Sequence, residues 1–147
     1  MAVVATGASE AVEAARTFFT AYNAHDIDKM LAACSDSAQL RYMPMGNQGL
    51  GNVRDVGKTI WSGIIDAFPD LHVTVQSMFG NAENVAAEVV IGGTQSKDFL
   101  NIPNRGKHYE LPHAFLLEVD GVGKITSIAA YWDNASFYLQ LGKTALQ

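Results

Sequence analysis

The hydrophobic period of this chain changes near Pro69, and that change limits the folds open to it. Before Pro69, apolar residues recur at helical spacing in residues 9–24, where Ser9 suits the N-cap, in a short stretch after Asp26, and in residues 53–67. After it, segments such as DLHVTVQSMF, VAAEVVIGGTQ and HYELPHAFLLEVD have the pattern of strands separated by turns. Helices followed by a meander of long strands predict an α+β fold with the helices on one sheet face.

The composition predicts a single globular domain over residues 1–147, because 48% of the residues are hydrophobic and 17% are charged. A net charge of −5 without a run of Lys and Arg argues against a nucleic-acid partner. No apolar stretch reaches the length of a membrane span, so no membrane partner is expected. The single cysteine, Cys34, and the lack of a signal-peptide pattern predict a cytoplasmic protein.

The last two predicted strands form a long hairpin around Gly121-Val122-Gly123. If this turn closes the hairpin, residues whose numbers add up to about 244 lie opposite each other, so His113 faces Tyr131. His113 and Asp133 then become diagonal neighbours on one face, roughly 5–8 Å apart at Cβ. A register slip of one residue would separate them.

Asp133 and His113 form a chemically sensible pair. An apolar face raises the pKa of a carboxylate and makes it a better base, while an adjacent imidazole can donate a proton or orient the carboxylate. The residues leave two other interpretations open: Asp133 or Asn134 caps the helix that begins in NASFYLQL, and His113 is a hydrogen-bonded core histidine.

Other chemical motifs are missing from the sequence. The four histidines are scattered, without H-x-x-x-H spacing or paired cysteines, so no metal site is expected. There is no G-x-S-x-G motif, phosphate-binding glycine loop or dinucleotide fingerprint. Several aromatic residues are candidates for either core positions or the wall of a pocket: Tyr22, Tyr42, Trp61 and Tyr131.

The chain resembles the SnoaL-like polyketide cyclases of the NTF2-like superfamily, most clearly in AFPDLHVTV and AAYWDNASFYLQLG. The resemblance implies an NTF2-like cone, in which a curved, mostly antiparallel sheet wraps around N-terminal helices and a deep apolar pocket. It also implies a homodimer built on the outer sheet face and no cofactor. It assigns the base to Asp133 and the assisting histidine to His113. The residues predicted to bind the substrate are Phe18, Tyr22, Tyr42, Trp61, Phe115 and Tyr131.

Two other branches of the superfamily fit less well. Phe18 and Tyr42 align with the tyrosine and the aspartate used by ketosteroid isomerases, so steroid-isomerase chemistry is not expected. The limonene epoxide hydrolases use an Asp-Arg-Asp arrangement on adjacent strands. In this chain no strand arginine stands beside Asp133, so that mechanism is not expected.

Three hypotheses for function follow. The first is a cofactor-independent cyclase or isomerase that uses acid–base chemistry on a hydrophobic, carbonyl-bearing small molecule such as a polyketide-like intermediate. The second is a non-catalytic NTF2-like module that binds a ligand or a partner, in which Asp133 only caps the last helix. The third is an epoxide-opening cyclase or hydrolase, because epoxide opening and aldol chemistry both need an acid–base pair in an apolar cavity.

Overall fold

A computed structural model describes residues 2–143, with side chains from residue 10 onward. Four α-helices are present in this range: α1 (Ala2–Asn23), α2 (Ile27–Ala32), α3 (Lys58–Ala67) and α4 (Asn134–Gln140). Because α1 begins at Ala2, Ser9 lies inside the helix, and the prediction that it caps α1 is wrong. The predicted third helix is shorter than expected, since Val53–Gly57 forms a wider π-helical turn before α3.

The strands form one curved six-stranded sheet with the order β2-β1-β6-β5-β4-β3. Their bounds are β1 (Cys34–Tyr42), β2 (Leu50–Asn52), β3 (His72–Gly80), β4 (Asn84–Thr94), β5 (His108–Val119) and β6 (Ile125–Trp132). Neighbouring strands are antiparallel except for the parallel pair β1 and β6. The helices-then-meander order and the mostly antiparallel sheet predicted from the sequence are confirmed.

The core lies between the helices and the inner sheet face. The ring of Phe19 on α1 meets that of Phe115 on β5 edge to face, with centroids 5.0 Å apart. Trp61 on α3 packs in the same way on Phe18 of α1, at 5.4 Å. These aromatic contacts fix α1 and α3 against the sheet and leave a cavity beside them.

The β5–β6 hairpin contains a bulge that changes its register. Val119 pairs with Ile125, as the turn predicts, but Glu118 already pairs with Ser127, so Thr126 is an extra residue on β6. Every later pair is shifted by one, and His113 lies opposite Trp132. The prediction that His113 faces Tyr131 is therefore wrong.

None of the helices in residues 2–143 combines the length and the apolar character needed to cross a bilayer.

Candidate functional site

A cavity of about 440 Å³ opens between the helices and the inner sheet face, a volume typical of sites for small organic ligands. Its wall has no Asp, Glu, Lys or Arg side chain among the described residues. Polar groups come from Tyr22, Tyr42, Gln48, Asn101, Tyr109, His113, Asn134 and Tyr138, and the remaining wall is Pro44, Met45, Ile60, Ile64, Ile91, Phe99, Leu100, Leu111, Phe115, Trp132 and Phe137.

His113 is the titratable imidazole of this wall. Burial lowers its pKa from the ordinary 6.5 to about 4, and the hydrogen bond to Leu111 only partly opposes this effect, so the ring is neutral at pH 7. Nδ1 lies 2.8 Å from the carbonyl oxygen of Leu111. Because a carbonyl can only accept, Nδ1 carries the proton and Nε2 carries the lone pair. His113 therefore offers an acceptor to the cavity.

Three phenols on the cavity wall supply complementary donors. Burial raises the pKa of Tyr22, Tyr42 and Tyr109, so each keeps its proton at neutral pH. Within residues 10–143, no hydrogen bond occupies the hydroxyl of Tyr22 or Tyr109. These groups are free to donate to a ligand oxygen.

Trp61 orients the phenol of Tyr42. Its Nε1 donates to Tyr42 Oη at 2.9 Å in the buried interior. The phenol oxygen is thereby used as an acceptor, and its own proton is left for the cavity.

Shared aromatic neighbours hold Tyr42 and His113 on the same part of the wall. The ring of Trp132 lies 5.5 Å from that of Tyr42 and 5.1 Å from that of His113. Phe115 contacts both rings as well, at 6.1 and 5.9 Å. The arrangement places the acceptor of His113 and the oriented donor of Tyr42 beside the same two aromatic rings of the cavity wall.

The residues predicted to bind substrate fall into three groups. Tyr22, Tyr42 and Phe115 lie on the cavity wall, together with the predicted catalytic residue His113. Phe18 and Trp61 are completely buried behind the wall, where they support Tyr22 and Tyr42. Tyr131 points to the outer sheet face and is 41% exposed.

Asp133 also points away from the cavity. The prediction that it faces the cavity is wrong, because the bulge at Thr126 shifts the register of β6 by one residue. Its side chain is the N-cap of α4, where Oδ1 accepts a hydrogen bond from the Ser136 amide at 3.1 Å. This geometry is that of the capping interpretation. A catalytic role for Asp133 stays a prediction.

The sequence interpretation missed the residues that replace Tyr131 and Asp133 on the wall. These are Trp132 and Asn134, joined by a 3.1 Å hydrogen bond from Trp132 Nε1 to Asn134 Oδ1. On α4, Asn134, Phe137 and Tyr138 share one face at helical spacing, a signal that was present in the sequence.

A tight turn at Phe99–Ile102 forms part of the cavity mouth. Phe99 and Ile102 exchange two backbone hydrogen bonds of 3.1 and 2.9 Å, and Leu100 at its tip has a positive φ of 53°. The hydroxyl of Tyr138 donates to Asn101 Oδ1 at 3.2 Å, which ties the turn to α4. In the part of the chain with described side chains, no group of three or more His, Cys, Asp or Glu is arranged to bind a metal ion.

We expect Asp133→Ala to lower the free energy of unfolding by about 1 kcal/mol, because it removes the α4 cap. Asp133→Asn retains a side-chain acceptor, so its stability is expected to stay close to that of the wild type. Urea unfolding of both variants checks this result. Equal losses in the two variants would contradict the capping role.

Comparisons with known proteins agree with this architecture. The family model described as SnoaL-like polyketide cyclase matches residues 12–141. A candidate polyketide cyclase from Jannaschia sp. CCS1 has a TM-score of 0.81 at 16% identity, and the alignment covers 94% of each chain. IdmH from Streptomyces antibioticus, another candidate polyketide cyclase, has a TM-score of 0.76 at 23% identity, covering 89% of this chain and 97% of that one.

A third similar structure contains a bound small molecule. It is a protein with a ketosteroid isomerase-like fold from Catenulispora acidiphila, in complex with trimethylamine. Its TM-score is 0.73 at 19% identity, and the alignment covers 88% of this chain and 92% of that one. At these identities the structural likeness establishes the fold alone. No curated protein matches the chain.

The match of the family model extends over most of the chain, and the solved structures share its ketosteroid isomerase-like, NTF2-like fold. The chain therefore belongs to the SnoaL-like polyketide cyclase family.

Proposed function

We propose that this protein is a cyclase or isomerase that needs no cofactor and acts on a hydrophobic, carbonyl-bearing small molecule, with His113 as the base. The observation that carries the proposal is the fixed tautomer of His113, whose lone pair on Nε2 lies on the same wall as three protonated phenols. A base next to hydrogen-bond donors is what formation of an enolate requires.

The reaction uses each group in turn. Nε2 of His113 takes the acidic proton from carbon next to a carbonyl, and the electron pair of the C–H bond becomes the enolate. Tyr42, with Tyr22 or Tyr109, donates to the enolate oxygen. The enolate carbon then attacks a second carbonyl of the same molecule, a C–C bond forms, and the imidazolium returns the proton to the new alkoxide. Atoms and charge balance without a co-reactant.

The low pKa of His113 fits this sequence of steps. Burial disfavours the imidazolium when the cavity holds only neutral groups. An enolate beside the ring supplies the missing negative charge, so the protonated state is stabilised only after proton transfer.

Deuterium exchange at C2 of ethyl benzoylacetate, followed by NMR, tests the proton-transfer step. We expect the wild type to accelerate exchange above the buffer rate, and His113→Phe to reduce that acceleration about 100-fold or more. Tyr42→Phe is the second variant, with an expected loss of about tenfold or more. Binding of the ester without faster exchange would contradict the proposal.

A ligand-binding module without catalysis is the second candidate function. It is favoured by the position of Asp133, which caps α4 and leaves His113 without a carboxylate partner on the cavity wall among the described residues. This candidate requires that the ester bind but exchange no faster than in buffer.

The catalytic role predicted for Asp133 has a separate test in the same assay. Because Asp133→Asn keeps the cap, it changes the charge with little effect on stability. With His113 as the base, we expect its exchange rate to equal that of the wild type. A loss similar to that of His113→Phe would assign the base to Asp133 instead.

A homodimer through the outer sheet face is also proposed. Phe79, Ala86 and Leu116 are aligned across β3, β4 and β5, and Phe79 and Leu116 are 69% and 47% exposed. We expect Leu116→Asp to convert a dimer into a monomer in light scattering. A cytoplasmic location also remains a proposal, supported by the free thiol of Cys34, which has no second cysteine in the sequence with which to form a disulfide.

A further inference from the structure

A cluster of three cations lies at the C-terminal end of α4. A Cβ atom added to Gly142 would lie 3.0 Å from Cδ of Arg105 and 3.8 Å from Cγ of Lys107. Both side chains therefore lie over the end of the helix, and Lys143 follows Gly142 directly. We refer to Arg105, Lys107 and Lys143 as the cation cluster.

The cation cluster has no carboxylate partner within residues 10–143. Other cations of the chain do form ion pairs, as Lys97 does with Asp66 at 2.9 Å and Arg54 with Asp36 at 3.1 Å. In a protein with a net charge of −5, three adjacent unpaired cations create a local positive potential that favours an external anion.

The cation cluster adjoins the mouth of the cavity. Lys143 Nζ donates to the carbonyl oxygen of Asn101 at 2.8 Å and lies 5.9 Å from the centroid of the Tyr138 ring. Asn101 and Tyr138 both line the cavity. Lys143 therefore lies at the edge of the cavity, against two of its lining residues.

The cavity interior and its mouth differ in charge. Since the described wall has no charged side chain, an anionic group buried inside would lack a counter-ion and lose its hydration. An apolar body is suited to the interior, whereas an anionic group is suited to the cation cluster, which remains in contact with water.

We propose that the cavity and the cation cluster together bind an amphiphilic organic anion, with its apolar body in the cavity and one carboxylate, sulfonate or phosphate group at Arg105, Lys107 and Lys143. The inference rests on the proposed ligand-binding role of the cavity and adds the chemical class of the ligand. It is independent of whether His113 transfers a proton.

Two fluorescent probes with the same aromatic body test the inference. One is 8-anilinonaphthalene-1-sulfonate, which carries a sulfonate, and the other is the uncharged N-phenyl-1-naphthylamine. We expect the sulfonate to lose about threefold in affinity in Arg105→Gln and about tenfold or more when all three cations are changed to Gln. The affinity of the uncharged probe is expected to stay within about twofold.

Salt and matched variants separate charge from structure. Raising the salt concentration to about 0.5 M should weaken the binding of the sulfonate probe and leave that of the uncharged probe unchanged. Lys58→Gln removes an exposed cation on α3 and is expected to affect neither probe. Lys143→Arg keeps the charge and is expected to retain sulfonate binding, while a loss equal to that of Lys143→Gln would overturn a direct role for the charge.

A cavity-filling variant locates the probes. Ile64→Trp narrows the cavity, so both probes should bind more weakly while thermal unfolding confirms that the variant is folded. Unchanged binding of 8-anilinonaphthalene-1-sulfonate in this variant would mean that its aromatic body lies outside the cavity. That result would overturn the inference.

The experiment distinguishes two kinds of failure. If the uncharged probe does not bind the wild type, the cavity is not a ligand site, and the proposed function fails together with the inference. If it binds but the three Gln substitutions leave sulfonate affinity unchanged, only the inference fails. In that case the cations act on the C-terminal end of α4, and their loss changes stability alone.

Discussion

Lowering the pH from 7 to 4 is expected to remove about 3 kcal/mol from the free energy of unfolding through His113 alone. Its pKa is about 4 in the folded protein and 6.5 in the unfolded chain. The unfolded state therefore binds more protons below pH 6.5. The contribution is fully present above pH 6.5 and is lost progressively as the pH falls toward 4.

The variant His113→Phe isolates this effect from the titration of carboxylates. A phenyl ring of similar size can keep the contacts of His113 with Phe115 and Trp132, but it cannot bind a proton. We expect a loss of about 1 kcal/mol at pH 7, from the missing hydrogen bond to Leu111, and higher stability than the wild type at pH 4.

Urea unfolding between pH 4 and 8 measures both curves. Their difference should change sign within this range. Parallel curves would mean that His113 is protonated to the same extent in the folded and unfolded chains, and would contradict its neutral, buried state. The same result would weaken the assignment of Nε2 as the acceptor in the cavity.

Replacing Trp61 with alanine is expected to lower the free energy of unfolding by about 4 kcal/mol. Its side chain is fully buried between α1 and the sheet, and its ring contacts Phe18. Truncation leaves a large cavity and removes the hydrogen bond to Tyr42. This loss is a large fraction of the roughly 5–15 kcal/mol that stabilises a typical domain.

Two further variants separate packing from hydrogen bonding. Trp61→Phe keeps much of the ring and removes Nε1, so we expect an intermediate loss of about 1–3 kcal/mol and weaker ligand binding through a less ordered Tyr42. Leu139→Ala, at a position 60% exposed on α4, should change stability by less than about 0.5 kcal/mol. Thermal and urea unfolding compare the three proteins. A loss in Trp61→Ala no larger than in Leu139→Ala would contradict the central position of Trp61.

Much of the fold followed from the sequence because periodicity reports which face of an element is buried. The order of helices and strands and the antiparallel meander needed no knowledge beyond spacing and turn residues. The length of α3 was overestimated because apolar spacing from Val53 to Gly57 continues without a break, although the backbone there winds as a wider turn. Patterns of polarity do not distinguish these two backbone conformations.

The candidate site was predicted less well, and the error has one physical origin. Residues before the bulge were placed correctly from the turn, but pairing beyond it was extrapolated without the extra residue Thr126. His113 remained on the inner face because the bulge lies on the other strand. Tyr131 and Asp133 moved to the outer face because they follow Thr126. A bulge is stabilised by tertiary packing and leaves little trace in local composition.

Thr126 thus links the length of one strand to the chemistry of a cavity some six residues away. Deleting this single residue would rotate the end of β6 by half a turn, exchanging an aromatic ring and a carboxamide for a phenol and a carboxylic acid. Insertions and deletions near such a turn can therefore convert a neutral binding chamber into an acidic one without any substitution inside it. In a fold of this kind, a change in strand length can therefore change the reactivity of the cavity. Such a change can be engineered without substituting any residue that lines the cavity.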